Sequence, residues 1–247
     1  SILAPIDGFK EIVHAFRVGG GKGLNSTVPF KQEAYTLAHD LTERARAAHA
    51  VNTFLFEPET GVILGDNTDG VGLVRDIQNN LAFPIENKRI LILGAGGAAR
   101  GVLLPLILAH PHTVCLVNRT VEKARDLALQ FANYMPIEVI DYYNLGAYIN
   151  THGSFDLIIN ATSSSLHGEA LPIPPTAFHP QSLAYDMMYG KGLTPFLAFA
   201  QTQGVIEIHD GIGMLVEQAA ESFFLWRGLR PETHRLIKEL HKMNQGQ

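Results

Sequence analysis

A glycine-rich turn after an apolar run is the first segment whose residue types could perform chemistry. The turn spans residues 94–99, reads Gly-Ala-Gly-Gly-Ala-Ala and follows the run 88–93. In this G-x-G-x-x-A pattern the first glycine permits a tight turn, the second lets the backbone approach a pyrophosphate, and the small third residue lets the helix pack closely. Free N–H groups at the start of that helix then attract the anion. The pattern predicts dinucleotide binding, and a purely structural turn is the alternative.

A basic segment at the end of the next apolar run, 113–117, bears on which dinucleotide would bind. An NAD site requires an acidic residue there to hold the ribose 2′-hydroxyl, but this chain has Asn118-Arg119-Thr120, with Lys123 one turn on. Arg119 and Lys123 could both bind a 2′-phosphate, and the guanidinium offers forked donors. Asn118 and Thr120 could add hydrogen bonds and cap the helix. The segment predicts NADP rather than NAD, with a solvated basic patch as the alternative.

Two residues that are far apart in the sequence, Lys31 and Asp69, could manage a proton. Lys31 ends the segment 25–31, and Asp69 lies in 67–70, where the nucleotide-binding part begins. A lysine that shuttles a proton beside an aspartate that orients it would suit the reduction of a carbonyl group. A lone lysine is more often a solvated charge, and Asp69 could equally cap a turn or a helix. Nothing in the spacing shows whether the two residues meet.

The composition argues against several classes of protein. The 247 residues include 19 Lys and Arg against 24 Asp and Glu, and the net charge of −5 argues against a nucleic-acid binder that neutralises phosphates. One cysteine rules out an internal disulfide framework, and the eleven histidines show no metal-ligand pattern, so we expect no metal site. No apolar run reaches the roughly 18 residues of a membrane span, and the first residues do not resemble a signal peptide. We therefore expect a cytoplasmic protein without nucleic-acid or membrane partners.

The alternation of apolar runs and helical segments predicts the fold. From about residue 71 to 208, nearly continuous apolar runs alternate with helices, as in a parallel sheet covered on both faces. Residues 51–56 and 61–65 flank a four-residue link, which suggests a hairpin. The segments 212–228 and 231–243 are helical in pattern and could pack against either part. We expect an α/β protein with a Rossmann-like doubly wound parallel sheet, a second, smaller α/β substrate domain and a cleft between them.

Nine short segments resemble those of the shikimate dehydrogenase family and follow the family's order along nearly the whole chain. These segments are 25–31, 50–53, 67–70, 94–98, 118–120, 160–164, 185–189, 194–197 and 210–220. The glycine turn is shared by many folds, whereas the segments around Lys31, Asn52 and Asp69 and the segment 211–220 are much more specific. The resemblance implies an NADP-dependent, reversible reduction of 3-dehydroshikimate to shikimate, a step of aromatic amino acid and chorismate biosynthesis.

The resemblance also implies a role for each matching residue. Lys31 would be the catalytic lysine, with Asp69 as its partner and as a substrate contact. Further contacts to substrate hydroxyl and carboxylate groups would come from Thr27, Asn52, Tyr189 and Gln218. Residues on the nicotinamide side would include Met187, Gly211 and 160–163. The other expected cofactor contacts are Glu43, which matches an acidic residue of the family, and Gly94, Ala95, Gly96, Gly97, Ala98, Asn118, Arg119, Thr120 and Lys123.

The family's arrangement implies how the chain divides into domains. Residues 1–68 and 209–247 would form the substrate and catalytic domain, and residues 69–208 the NADP-binding domain. The family opens with a strand, a helix and a Ser-x-Ser pair that holds the substrate carboxylate, and nothing in residues 1–24 matches that opening. We therefore expect the first domain to be incomplete at its N-terminus. As partners we expect a small-molecule substrate and at most a second copy of the chain, so that the protein is a monomer or a homodimer.

Two other functions remain open at this point. A nucleotide-binding regulator would keep the glycine turn without catalysis, and the unmatched opening supports it. A related dehydrogenase acting on quinate or another polyol acid would keep Lys31 and Asp69 but would differ in its substrate pocket. The regulator would bind NADP(H) without turnover, and a comparison of the rates with quinate and shikimate would identify the second.

Overall fold

The computed structural model describes residues 1–164 and 170–244 and arranges them around two β-sheets. The first part of the chain contains α1 (Phe9–Val18), β1 (Gly23–Asn25), α2 (Lys31–Leu37), β2 (Asp40–Leu41), α3 (Glu43–Ala48), β3 (Thr53–Phe56), β4 (Ile63–Asp66) and α4 (Asp69–Arg75). A π-helical turn, Asp76–Asn80, extends α4. The second part contains β5 (Arg89–Leu93), α5 (Gly97–Leu108), β6 (Thr113–Val117), α6 (Val121–Gln130), β7 (Glu138–Ile140), α7 (Leu145–His152), β8 (Leu157–Asn160), β9 (Leu183–Asp186), α8 (Pro195–Thr202) and β10 (Glu207–His209). Two helices, α9 (Ile212–Arg227) and α10 (His234–Asn244), follow.

The larger sheet has six parallel strands in the order β10-β9-β8-β5-β6-β7. Strand β5, near the middle of this sheet, is apolar at every position from Ile90 to Leu93 because helices cover both faces of the sheet. Ile90 and Ile92 pack in one core cluster with α5 and α6, and Leu91 and Leu93 pack in a second cluster with α7 and α8. The chain leaves β5 towards β6 on one side and returns to β8 on the other. The predicted doubly wound sheet is confirmed, and its crevice lies at the carboxyl ends of β5 and β8.

The smaller sheet has four strands in the order β1-β3-β4-β2. Strands β3 and β4 pair antiparallel with Thr53 opposite Asp66, as the predicted hairpin requires, and β2 lies parallel to β4. Helices α1, α2 and α3 contribute Val13, Ala34 and Ala45 to a core shared with Phe54. A second, smaller α/β unit therefore precedes the parallel sheet along the chain.

Helices α4 and α9 lie side by side where the two parts of the chain meet. They approach closely because Gly72 has no side chain: a β-carbon there would lie 2.7 Å from the Gln218 backbone nitrogen and 2.9 Å from the Met214 carbonyl oxygen. Near the end of α9, the Trp226 Nε1–H donates a 2.8 Å hydrogen bond to the Phe54 carbonyl. The penultimate helix thus contacts the small sheet, although the sequence pattern left its packing partner open.

Among the described residues, no helix combines the length and the apolar character needed to cross a bilayer. The same residues contain no group of three or more His, Cys, Asp or Glu side chains arranged to hold a metal ion.

Replacing Gly72 by alanine tests the contact between α4 and α9. We expect Gly72→Ala to lower the free energy of unfolding by about 1–3 kcal/mol, because the new methyl group must displace backbone atoms of α9. Gly146→Ala is the matched control, since a β-carbon at this position of α7 meets no atom within 4 Å. The control should raise the free energy of unfolding by up to about 1 kcal/mol through helix propensity. Equal effects of both substitutions in urea titrations would contradict the close approach of the two helices.

Candidate active site

An ion pair between Lys31 and Asp69 lies where the two helices α2 and α4 begin. The Lys31 Nζ donates a 2.6 Å hydrogen bond to the Asp69 Oδ2, and the side chains are 28% and 19% exposed. Asn52 donates from its Nδ2 to the other carboxylate oxygen, Asp69 Oδ1, at 2.8 Å. The carboxylate therefore holds an ammonium group on one oxygen and an amide on the other. The tertiary structure thus brings together two residues that their spacing in the sequence could not connect.

Local backbone contacts explain why the lysine and the aspartate meet. The Val51 N–H donates to the Lys31 carbonyl at 2.9 Å, which ties the start of α2 to the segment leading into β3. The Asn52 N–H donates to the Asp66 carbonyl at 2.9 Å, and Asp66 ends β4, three residues before Asp69. The hairpin therefore sets the distance between the ammonium group and the carboxylate.

A cavity of about 460 Å³ opens beside this ion pair. Its walls combine polar side chains from the small sheet with residues from the end of β9 and the start of α9. It includes all four residues expected to contact substrate besides Asp69, namely Thr27, Asn52, Tyr189 and Gln218. Such a mixture of hydroxyl, amide and charged groups suits a small, polar, hydroxylated ligand.

The glycine turn forms a second cavity, of about 370 Å³, at the carboxyl ends of β5 and β8. Gly94 has φ = +108°, a conformation that favours glycine. A β-carbon at Gly96 or Gly97 would meet no protein atom within 4 Å, so the turn leaves an open cradle of backbone. The start of α5 faces this space, as anion binding requires. Met187 and Met188 line both this cavity and the one beside Lys31, so the two spaces adjoin.

A third cavity, of about 360 Å³, continues from the glycine turn towards the expected 2′-phosphate site. Asn118 lines both spaces, and Arg119 lines the third one together with Tyr142. Arg119 is exposed and forms no salt bridge with any carboxylate of the described residues. Its charge therefore remains available to an anion. The three cavities together form a path from Lys31 to Arg119.

Not every expected cofactor residue lies on this path. Glu43 begins α3, accepts a 3.0 Å hydrogen bond from the Tyr134 hydroxyl and lines a separate cavity against the C-terminal half of α5. The structure therefore separates it from the glycine turn. Lys123 is exposed on α6 and lines none of the three cavities.

The expected cap of α6 is corrected by the structure. Thr120 does occupy the position before the helix, but its side chain makes no capping hydrogen bond. Instead, the Asn118 Nδ2 donates to the Thr120 carbonyl at 2.8 Å. This bond braces the turn that presents Arg119.

Comparison with known proteins places this geometry in one family. Three family models match: the shikimate dehydrogenase substrate binding domain at residues 1–54, shikimate/quinate 5-dehydrogenase at 76–167, and the shikimate 5′-dehydrogenase C-terminal domain at 211–241. The NADP(+) shikimate dehydrogenase of Nitrosomonas europaea is 57% identical, over 97% of this chain and 84% of that protein. The chain belongs to the shikimate dehydrogenase family.

Solved structures agree with this assignment. The Ael1 enzyme from Pseudomonas putida has a TM-score of 0.90 and 45% identity, with 97% of this chain and 85% of that chain covered. The shikimate 5-dehydrogenase of Thermus thermophilus, solved with NADP(H) and shikimate, has a TM-score of 0.81 and 28% identity, with 97% and 85% covered. The predicted Rossmann-like fold and the predicted NADP-dependent oxidoreductase of this family are confirmed.

The sequence did not predict a buried network of hydroxyl and amide groups next to the cavity beside Lys31. Its centre is Ser222 on α9, which accepts from Asn25 Nδ2 at 2.9 Å and contacts Thr53 Oγ1 at 2.8 Å and Thr68 Oγ1 at 3.3 Å. Asn52, the residue that holds Asp69, is bonded to Thr68 in turn. The i, i+4 spacing of Ser222 and Gln218 on one helix was the available signal, because it places both on the same face.

The sequence also did not predict an ion cluster between the end of β4 and helix α9. Arg44 binds both Asp66 and Glu221, and Arg230 binds Glu221 as well. Burial by itself would raise the pKa of Glu221, but hydrogen bonds and charge from Arg230 and Arg44 bring it below its ordinary value. The cluster fastens α9 to the end of β4, three residues from Asp69.

Removing the Ser222 hydroxyl tests the network in this shikimate dehydrogenase family member. We expect Ser222→Ala to lower the free energy of unfolding by about 1–3 kcal/mol, because buried partners lose a hydrogen bond. It should also raise KM for shikimate. The Ser222 hydroxyl donates to the Gln218 carbonyl and contacts Thr68, which in turn bonds to Asn52. Ser154→Ala is the control, because within the described part of the chain that exposed hydroxyl bonds only to the Thr176 carbonyl. Unfolding curves and KM values that match for the two variants would contradict the role of the network.

Proposed function

We propose that the cavity beside Lys31 catalyses the reversible, NADP-dependent reduction of 3-dehydroshikimate to shikimate. The observation that carries the proposal is the 2.6 Å Lys31–Asp69 pair in a cleft that continues into the glycine turn. An acid–base pair beside a dinucleotide site is what reduction of a carbonyl group to a secondary alcohol requires.

The cofactor would lie along the glycine turn with its 2′-phosphate at Arg119. The open cradle at Gly96 and Gly97 has room for a pyrophosphate, which supports the fit. The residues that would hold it are Gly94, Ala95, Gly96, Gly97, Ala98, Asn118, Arg119 and Thr120, with Lys123 adding charge nearby and Met187 and Gly211 on the nicotinamide side. When bound, the dinucleotide supplies the hydride acceptor or donor. From the family resemblance we also propose Glu43 as a cofactor contact, although it lines a different cavity from the glycine turn.

Lys31 manages the proton in this proposal. In the reduction direction its ammonium group donates one proton to the substrate carbonyl oxygen, and the resulting amine is reprotonated from solvent. In the oxidation direction the neutral amine accepts the proton of the reacting hydroxyl. Asp69 orients the amine by a charge-assisted hydrogen bond, and Asn52 fixes the second oxygen of the carboxylate so that it cannot rotate away.

The remaining polar groups of the cleft would hold the substrate. Asn52 and Asp69 lie within reach of the same hydroxylated ligand, and Gln218 is close to Asn52, with 3.5 Å between its Oε1 and the Asn52 Nδ2. Thr27 and Tyr189 line the same cavity. This distribution of donors and acceptors around the cavity orients the substrate, and orientation is a large part of the protein's contribution to rate.

Replacing Lys31 tests the assignment of the proton to this residue. We expect Lys31→Ala to lower kcat for shikimate oxidation by about 10²–10⁴-fold, the usual contribution of a positioned acid or base. The Kd for NADP should stay within twofold of the wild-type value, because Lys31 does not line the glycine turn. Lys10→Ala on the exposed surface of α1 is the control and should leave turnover unchanged. Turnover of shikimate at a near-normal rate by the folded Lys31 variant would reject this role.

Replacing Arg119 tests the cofactor assignment. We expect Arg119→Ala to lower kcat/KM for NADP by about 10–100-fold, because one charged hydrogen-bonding group to the 2′-phosphate is lost. The same constant for NAD should change by less than threefold, since NAD lacks that phosphate. Arg125→Ala, on helix α6 just after the turn that holds Arg119 and close to Glu122, is the control. Equal losses with both dinucleotides would contradict the placement of the phosphate.

The two alternatives are decided by initial rates with the wild-type protein. A nucleotide-binding regulator would bind NADP(H) and show no oxidation of shikimate, whereas an enzyme selective for quinate would oxidise quinate faster. We expect shikimate to be the better substrate. We also propose that the enzyme is cytoplasmic and a monomer or homodimer, which fractionation and light scattering would establish.

A further inference from the structure

One phenol group lies at the junction of three elements that build the cleft. Tyr185, on β9, is fully buried, and its hydroxyl donates a 2.7 Å hydrogen bond to the Asp76 Oδ2. The same hydroxyl accepts a 3.2 Å hydrogen bond from the backbone N–H of Met214. Asp76 begins the π-helical turn that extends α4, and Met214 lies in the first turn of α9. A single oxygen atom therefore joins the parallel sheet to both helices.

Each of these elements carries part of the proposed site. Helix α4 begins with Asp69, helix α9 carries Gln218, and the chain beyond β9 runs through Met187 to Tyr189, which line the cleft. Tyr185 and Asp76 line none of the three cavities of the path themselves. Their contacts therefore act on the cleft only through the elements that they join.

The surroundings of Asp76 leave it little freedom. Burial raises the pKa of Asp76, and hydrogen bonds from Tyr185 and Asn80 partly oppose this effect. A β-carbon at Gly213 would lie 2.0 Å from the Asp76 Oδ1, so glycine at this position of α9 makes room for the carboxylate. Asn80 donates both to Asp76 at 2.9 Å and to Glu217 of α9 at 3.0 Å. Each oxygen of the buried carboxylate thus accepts a hydrogen bond, as buried polar groups require.

We propose that Tyr185 and Asp76 are positioning residues of the reaction: their hydrogen bond holds α4 and α9, with Asp69 and Gln218, in register with the strand that leads to the cofactor wall. This inference rests on the proposed function of the cleft. The inference requires that loss of this hydrogen bond shifts Asp69 and Gln218 relative to the glycine turn. The affinity for the dinucleotide should not change, because the glycine turn and Arg119 set it.

Removing the phenol hydroxyl in the full-length protein is the direct test. We expect Tyr185→Phe to lower kcat/KM for shikimate by about 10–100-fold per folded molecule, the scale of one charge-assisted hydrogen bond. The Kd for NADP should change by less than twofold. Amide hydrogen exchange in the apo protein should become faster in residues 212–218, because the Met214 N–H loses its acceptor. This last measurement does not depend on turnover.

A second tyrosine, which is partly buried, provides the control. The Tyr148 hydroxyl lies 3.4 Å from the Cys115 Sγ among residues on the other face of the parallel sheet, away from the cleft. Tyr148→Phe should cost some thermal stability while leaving kcat and KM for shikimate within twofold of wild type. If both tyrosine variants lose activity only in proportion to their folded fraction, Tyr185 is a structural residue and the inference is overturned.

Two substitutions of Asp76 test the same bond from its other end. Asp76→Asn keeps an oxygen that can accept from the phenol, so we expect kcat/KM within about threefold of wild type. Asp76→Ala should reproduce the loss seen with Tyr185→Phe, and unchanged kinetics in the folded alanine variant would overturn the inference. Absence of shikimate turnover in the wild-type protein would instead remove the proposed function, and this inference with it.

Discussion

The contact between the Lys31 ammonium group and the Asp69 carboxylate is the interaction on which the proposed chemistry depends. A lysine amine that is free in solvent samples many positions, whereas an amine held at 2.6 Å from a fixed carboxylate has one. The carboxylate is fixed because Asn52 donates to its second oxygen and because α4 begins at Asp69. The hairpin of β3 and β4 and the helices on either side are therefore the framework for one charged contact.

Buried polar groups hold the Lys31–Asp69 contact in place. Burying a polar group costs free energy of folding unless the group has a hydrogen-bond partner. The network around Ser222 and Thr53 meets this requirement next to the cavity beside Lys31, and the bond between Tyr185 and Asp76 meets it between the sheet and the helices. Glycine at positions 72 and 213 lets α9 come close enough for these bonds to form. Close packing and polar pairing thus depend on each other at the junction of α4 and α9.

Glu43 and Lys123 are two expected cofactor contacts that line none of the three cavities between Lys31 and Arg119. Each was expected near the cofactor, Glu43 from its place in a family segment and Lys123 from its distance along a helix. The structure places Glu43 against Tyr134 and the far half of α5, and it leaves Lys123 exposed beyond the cavities. A motif predicts which residues are neighbours along the chain. The distance from Glu43 to a bound molecule depends instead on how α3 packs against α5. The glycine turn itself was located correctly because its geometry is local.

The sequence by itself determined five of the six strands of the parallel sheet (β5 to β9), the glycine turn and the basic segment at Arg119. Apolar periodicity and turn chemistry act over a few residues, and such short-range effects can be recognised without knowing the rest of the fold. Only the tertiary structure decided that Lys31 meets Asp69, that Ser222 bonds to Asn25 across 197 positions, and that Tyr185 reaches Asp76. These contacts form between elements that are distant in the chain, and their distances depend on the packing of whole helices against two sheets.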